Sequence, residues 1–178
     1  LNRHFGGLHA VNNVSFGLEE HRIQAVIGPN GAGKTTLFNL ISGVIPPSSG
    51  TVKYRESVIS GLKPHQIAHR GISRTFQNLK LARHMTVLEN VMIGRHTRSK
   101  AGFLSAMIPL PPVWREEKAI RQAAMDSLDC LGIADKAHLT AGSLPFGTQR
   151  AVEFARALTA EPGLLLLDEP ASGLNMRE

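Results

Sequence analysis

Cysteine is almost missing from this chain of 178 residues: Cys130 stands alone, so no internal disulfide can staple the fold. A protein of a reducing compartment is the expectation. Aromatic residues make up only 5%, with one Trp and one Tyr, which leaves little for the interleaved stacking platforms of nucleic-acid binders. Membrane-length apolar runs are missing too. The uncharged stretch Ala101–Trp114 has 14 residues and carries three prolines, too short and too broken to span a bilayer. Leu1 opens neither a signal peptide nor a basic amphipathic presequence, and the chain reads as a piece of a longer protein. With 42% hydrophobic residues and no internal repeat, disorder, collagen and repeat arrays are excluded.

Acidic residues are nearly absent from one long segment. Between Ser57 and Arg115 lie nine basic residues (Lys63, Arg70, Arg74, Lys80, Arg83, Arg95, Arg98, Lys100 and Arg115) against one acid, Glu89, within a formal net charge of +6. Such a segment is a solvated face of a helical subdomain or a face held near anionic headgroups. Only Phe76 and Phe103 interleave it before Trp114, which argues against a nucleic-acid surface.

Periodicity divides what is present. Val14–Leu18 alternates like a half-buried strand, and Ile23–Ile27 runs apolar like a central strand. Leu37, Leu40, Ile41 and Val44 fall on one helical face, ended by Gly43 and Pro46-Pro47. Short strands are expected at Thr51–Tyr54 and Ile72–Phe76, with a short helix at Pro64–Arg70 stopped by Gly71. Thr86 and Glu89 have capping-box spacing, so a helix starts there. Ala101–Trp114 reads as an irregular connector, and Arg115–Leu131 as an amphipathic helix with Ile120, Ala124, Leu128 and Leu131 inward. A second late helix is expected to turn Ala151, Phe154, Ala155 and Leu158 inward, and Leu164–Leu167 reads as a buried strand.

Chemistry concentrates in two places. Gly28-Pro29-Asn30-Gly31-Ala32-Gly33-Lys34-Thr35-Thr36 satisfies G-x-x-x-x-G-K-[ST], a pattern whose chance occurrence in a chain this long is under about 1%. Its glycines let backbone N–H groups curl around phosphate oxygens, and the following helix adds positive partial charge. Lys34 would meet the β/γ-phosphates, the Thr35 hydroxyl would ligate Mg²⁺, and Thr36 would bond the α-phosphate or cap the helix. The leucine run ending in Asp168-Glu169 supplies a second anchor: Asp168 for Mg²⁺, directly or through water, and Glu169 to orient or deprotonate the attacking water. The long interval between Lys34 and Asp168 implies an inserted subdomain.

Together with Gln77 in Arg74-Thr75-Phe76-Gln77 and the helix opening at Gly147-Thr148-Gln149-Arg150, these residues resemble an ABC-type ATPase over essentially the whole chain. The resemblance implies an α/β P-loop NTPase (RecA-like) core at about 1–78 and 160–178, with N-terminal antiparallel β strands and an inserted α-helical subdomain at about 79–159. It also implies that Gln77 touches the metal or its water and opens the segment sensing the membrane subunits, and that Phe5 stacks on adenine. Phe5-Gly6-Gly7-Leu8-His9-Ala10-Val11, Arg74–Gln77 and Asp168–Asn175 are similar to the ATPase subunits of branched-chain amino-acid importers. Implied in turn are ATP and Mg²⁺, a second ATPase subunit, two permease chains, an external binding protein, and a cytoplasmic place on the inner face of the membrane.

The chain departs from the family pattern in three ways. The signature L-S-G-G-Q stands as Leu144-Pro145-Phe146-Gly147-Thr148, so Pro145 lacks the hydroxyl for γ-phosphate and what survives, acting in trans, is Gly147 and a helix N-terminus. Asn175 replaces the frequent Asp of the loop contacting the partner, and no histidine follows His138 to act as the switch. Two other classes remain open: a non-transport ABC ATPase acting on nucleic acid or ribosomes, and a module that holds ATP without turnover. A GTPase is disfavoured because no N-K-x-D element reads guanine.

Overall fold

The computed structural model describes residues 1–75, 80–95 and 111–169. They fall into two compact units, Leu1–Arg70 and Gly71–Glu178.

In the first unit, β1 (Arg3–Phe5) and β2 (Leu8–Val11) form an antiparallel hairpin turned at Gly6-Gly7, with Phe5 opposite Leu8. After a long segment without regular structure comes α1 (Lys34–Ile41), which buries Leu37 and Leu40 against Val11. A second small hairpin joins β3 (Lys53–Tyr54) to β4 (Ser57–Val58). The helix α2 (Pro64–His69) begins with proline, whose fixed φ suits a first turn, and buries Ile67.

The second unit opens with β5 (Ile72–Arg74), paired in parallel with β6 (Leu164–Leu166): Arg74 lies opposite Leu166 although Leu166 comes 92 positions later in the chain. Parallel neighbours need a crossover, and here the crossover is the helical layer. That layer comprises α3 (Val87–Ile93), α4 (Pro111–Cys130) and α5 (Phe146–Thr159). Val87, Val91, Leu128 and Val152 are fully buried at its centre, each burial contributing about 1.5–3 kcal/mol of transfer free energy. Thr86 caps α3 as expected: its hydroxyl accepts from Glu89 N–H at 3.2 Å, and Glu89 Oε2 accepts from Thr86 N–H at 2.7 Å. The buried Asn90 amide ties the preceding loop down, accepting from Ala82 N–H at 2.8 Å and donating to Thr86 O at 2.9 Å.

Several expectations are corrected. Neither Val14–Leu18 nor Ile23–Ile27 forms a strand; Ile23 and Ile27 are almost wholly exposed. Apolar alternation reports a capacity for burial, whereas a strand exists only where a neighbour completes its ladder, and none does so here among the described residues. A cavity of about 550 Å³ opens instead among Phe16, Gln24, Val26, β2 and the first turn of α1. Val44 lies beyond the helix end at Ile41 and is exposed. The helix α4 starts at Pro111 rather than Arg115, because prolines are tolerated in a first turn; residues 101–110 of the expected connector lie outside the described residues.

The inward face of α5 is rotated from the apolar pattern to Val152, Glu153, Ala155 and Thr159. Two polar groups can sit there because each is satisfied. Arg150 meets Glu153 at 3.0 Å, and the Thr159 hydroxyl bonds Ala155 O and Ser127 Oγ at 2.8 Å. Ile72–Arg74 and Leu164–Leu166 each pair over three residues. Phe76 lies outside the described residues.

Candidate nucleotide-binding elements

The first element is the loop Gly28–Thr36. Gly33 is the N-cap of α1 at φ 86°, in the left-handed region, and a Cβ there would overlap the Ala10 carbonyl oxygen of β2. The first helical bond inside α1 runs from Leu37 N–H to Gly33 O at 2.8 Å, so the N–H groups of Lys34, Thr35 and Thr36 precede it. No side chain caps this helix end and no acid occupies its first turn. That is a cradle for an anion, with the helix dipole adding favourable potential. Lys34 Nζ curls back on the loop, donating to Gly28 O at 2.6 Å and Pro29 O at 2.9 Å. Its ammonium is thereby held beside the same glycine-rich turn. Pro29, Asn30, Gly31 and Ala32 form that turn, closed by a bond from Ala32 N–H to Pro29 O at 3.2 Å. Thr35 is exposed at the first turn, and Thr36 is half-buried. Phe5, at the end of β1, is half-exposed with the Arg3 guanidinium 4.6 Å from its ring centre.

In the second unit, Asp168 follows β6 and is 4% exposed. Its Oδ2 accepts from Arg74 Nη2 at 2.9 Å, and its N–H reaches Thr75 Oγ1 at 3.4 Å. Thr75 N–H in turn bonds Leu166 O at 3.0 Å, so the strand ladder fixes the main chain that carries the carboxylate. Glu169 is exposed with φ 49°, an unusual conformation for a non-glycine residue and a mark of local constraint. Gln77 and Asn175 lie outside the described residues. Among the described residues no group of three His, Cys, Asp or Glu could hold a metal. Thr35 carries a hydroxyl and Asp168 a carboxylate, each by itself an oxygen donor of the kind Mg²⁺ takes beside substrate phosphates and waters.

The third element is the start of α5. Leu144 is buried, Pro145 is the N-cap, and the helix begins at Phe146, one residue before the expected opening at Gly147. Gln149 Nε2 donates to Leu144 O at 2.8 Å, and Gln149 N–H makes the first helical bond, to Pro145 O at 3.0 Å. The N–H groups of Phe146, Gly147 and Thr148 thus precede the helical ladder. Phe146 is half-exposed, with Arg150 5.5 Å from its ring centre.

Sequence reasoning missed two charged features. Arg74 is buried against Asp168, and Glu153 is buried between Arg150 and Arg156, the latter donating to Lys80 O at 2.6 Å. Burial pulls the Arg156 guanidinium down from its ordinary value, and Glu153 opposes that shift. The R-x-x-E-x-x-R spacing was a legible signal for the Glu153 cluster, whereas nothing in Ile72-Ser73-Arg74 set Arg74 apart from the other charges of the basic segment. Arg95 also bonds Glu161, at 2.5 Å, so two members of the basic segment are neutralised in place.

A family model described as ABC transporter matches residues 11–172, nearly the whole chain. The chain belongs to the ABC transporter family. This ABC chain is 44% identical over 174 residues to the high-affinity branched-chain amino acid transport ATP-binding protein LivG of Salmonella typhimurium, covering 98% of this chain and 68% of that protein. It is 40% identical over 178 residues to BraF of Pseudomonas aeruginosa, which bears the same description, covering 100% of this chain and 70% of that protein. Among solved structures, an ATP-binding cassette of an ABC transporter in its ADP conformation superposes with a TM-score of 0.80 at 32% identity, over 98% of this chain and 68% of that one. That neighbour is an ATP-binding cassette, so the α/β P-loop NTPase fold class expected from the resemblance is the one found. Among the described residues no helix is long and apolar enough to cross a membrane.

Proposed function

We propose that this chain is the ATP-binding and hydrolysing subunit that powers an ABC importer of branched-chain amino acids. The observation that carries the reading is the helix-capped glycine turn at Gly33 with Lys34 folded over it, in a chain of this family whose relatives are named for that transport. In this reading Gly28–Gly33 and the first-turn N–H groups of α1 hold the phosphates. Lys34 neutralises charge at the β/γ bridge, where phosphoryl transfer demands positioning and electrostatics above all. Thr35, Asp168 and Gln77 would hold Mg²⁺, which when bound neutralises the phosphate oxygens. Glu169 aligns the attacking water and draws its proton, and Phe5 packs on adenine.

The helix start at Leu144–Thr148 serves the nucleotide of a second ATPase subunit by backbone N–H groups and dipole, since Pro145 offers no hydroxyl. Gln77 passes the cycle to permease chains in the membrane, which places this subunit at the inner face, with an external binding protein delivering cargo. The test is Glu169→Gln in the complex assembled with its permease. ATP should still bind while turnover falls at least about 100-fold, as expected for loss of a group acting in the transition state. Unchanged hydrolysis would remove Glu169 from its role, and failure to purify with a hydrophobic permease would remove the transport reading.

A further inference from the structure

Arg74 is the observation that the proposed function leaves unused. It is the last residue of β5, directly across the parallel ladder from Leu166, and its guanidinium reaches forward to Asp168 Oδ2 at 2.9 Å. Both side chains are nearly sealed from water, at 8% and 5% exposure. A pair this buried is poorly screened, so the cation acts on the carboxylate and on anything that approaches it. A carboxylate has lone pairs for more than one partner, so it can hold the guanidinium and still offer an acceptor. Two effects of opposite sign follow. The guanidinium fixes the orientation of Asp168, which favours a metal, and it neutralises the same carboxylate while repelling a divalent cation, which disfavours one. The main chain at Asp168 is held without Arg74, since Asp168 N–H reaches Thr75 Oγ1 and Thr75 N–H bonds Leu166 O, and a bound divalent cation would orient the carboxylate itself. The charge has no such second source in these contacts, so charge dominates the balance.

We propose that Arg74 is a positioning residue for the metal end of the nucleotide site: it is the resident counter-ion of Asp168 and raises the Mg²⁺ concentration at which metal and nucleotide load together. The inference rests on the proposed function, in which Asp168 serves Mg²⁺. Arg74 keeps the carboxylate compensated whenever metal is away, and it makes stable loading depend on the phosphates supplying their share of the ligands. Metal without nucleotide then gains little at Asp168.

The test is a Mg²⁺ titration of nucleotide binding in the full chain, read by fluorescence of a labelled ADP at fixed nucleotide, together with a binding isotherm in EDTA. For Arg74→Met the half-saturating Mg²⁺ should fall at least five-fold, while the EDTA isotherm stays within two-fold of the unsubstituted chain. Arg74→Lys, which keeps the charge, should stay within two-fold in both. A purely structural role would lower the thermal midpoint of Arg74→Met and leave the Mg²⁺ midpoint where it was; that result, or a rise in the midpoint, overturns the proposal. Should Arg74→Met fail to fold, Arg74→Gln keeps a hydrogen-bond donor without the charge, and the same five-fold fall is required of it. Absence of nucleotide binding by the unsubstituted chain would instead overturn the function on which the inference rests.

Discussion

The two units solve the burial problem differently. In Gly71–Glu178, three helices close on Val87, Val91, Leu128 and Val152, and its buried polar groups Asn90, Glu153 and Thr159 all have partners. In Leu1–Arg70, α1 packs on one hairpin while Ile23 and Ile27 stand in the open and residues 14–30 form no ladder. Amphipathic helices need only one another's stripes, but a buried strand needs neighbours on each edge. The helical layer is therefore self-sufficient. The phosphate loop is held by local devices, chiefly the glycine contact with β2, and nucleotide is the natural source of further order there.

Substituting the tightest glycine of each unit breaks this comparison most sharply. Gly33→Ala forces a Cβ into Ala10 O at a backbone angle that L-residues avoid. ATP affinity should fall at least about ten-fold, measured by calorimetry, with the far-UV helix signal kept, because a loop displaced by even an ångström loses its fit to phosphate. Gly94→Ala drives a Cβ into Arg156 O where α3 meets α5. Overpacking of this kind costs about 1–3 kcal/mol in denaturant unfolding, with ATP affinity unchanged. If the two variants exchanged phenotypes, the division of labour would be wrong.

Smaller effects sharpen the picture of the helical layer. Thr86→Ala removes the cap of α3 and should cost about 1 kcal/mol, read from urea midpoints. The same cap carries a pH signature. Hydrogen bonds from the Thr86 backbone and side chain hold the Glu89 carboxyl below its ordinary value of 4.5. A depressed carboxylate contributes stability that is present above its unfolded value and is lost as pH falls through the folded one. The thermal midpoint should therefore decline as pH drops below 4.5, and less so in Glu89→Gln. Equal declines in both proteins would remove Glu89 from the account.

The helical elements and the phosphate loop were legible because their signals are local. Thr86 and Glu89 lie three residues apart, Leu128 and Ala124 four, and the loop's glycines and Lys34 are contiguous in chain. What was illegible depends on distant partners. Ile23–Ile27 looks like a strand from composition, yet strands are made by neighbours that periodicity does not name. Arg74 looked like one more charge in a basic segment, and only the pairing of β5 with β6 shows that it compensates Asp168. Glu153 is a different case: its arginine partners lie one turn to either side, a local signal that apolar spacing alone passes over.

Equilibrium binding of ATP with Mg²⁺, compared between the unsubstituted chain and Lys34→Ala, tests the central claim most directly. Saturable binding that weakens at least about 100-fold on loss of Lys34 is the predicted result, the size expected when a charge-assisted phosphate contact and its loop are lost together. Equal affinity in the two proteins, or no binding by either, would contradict it.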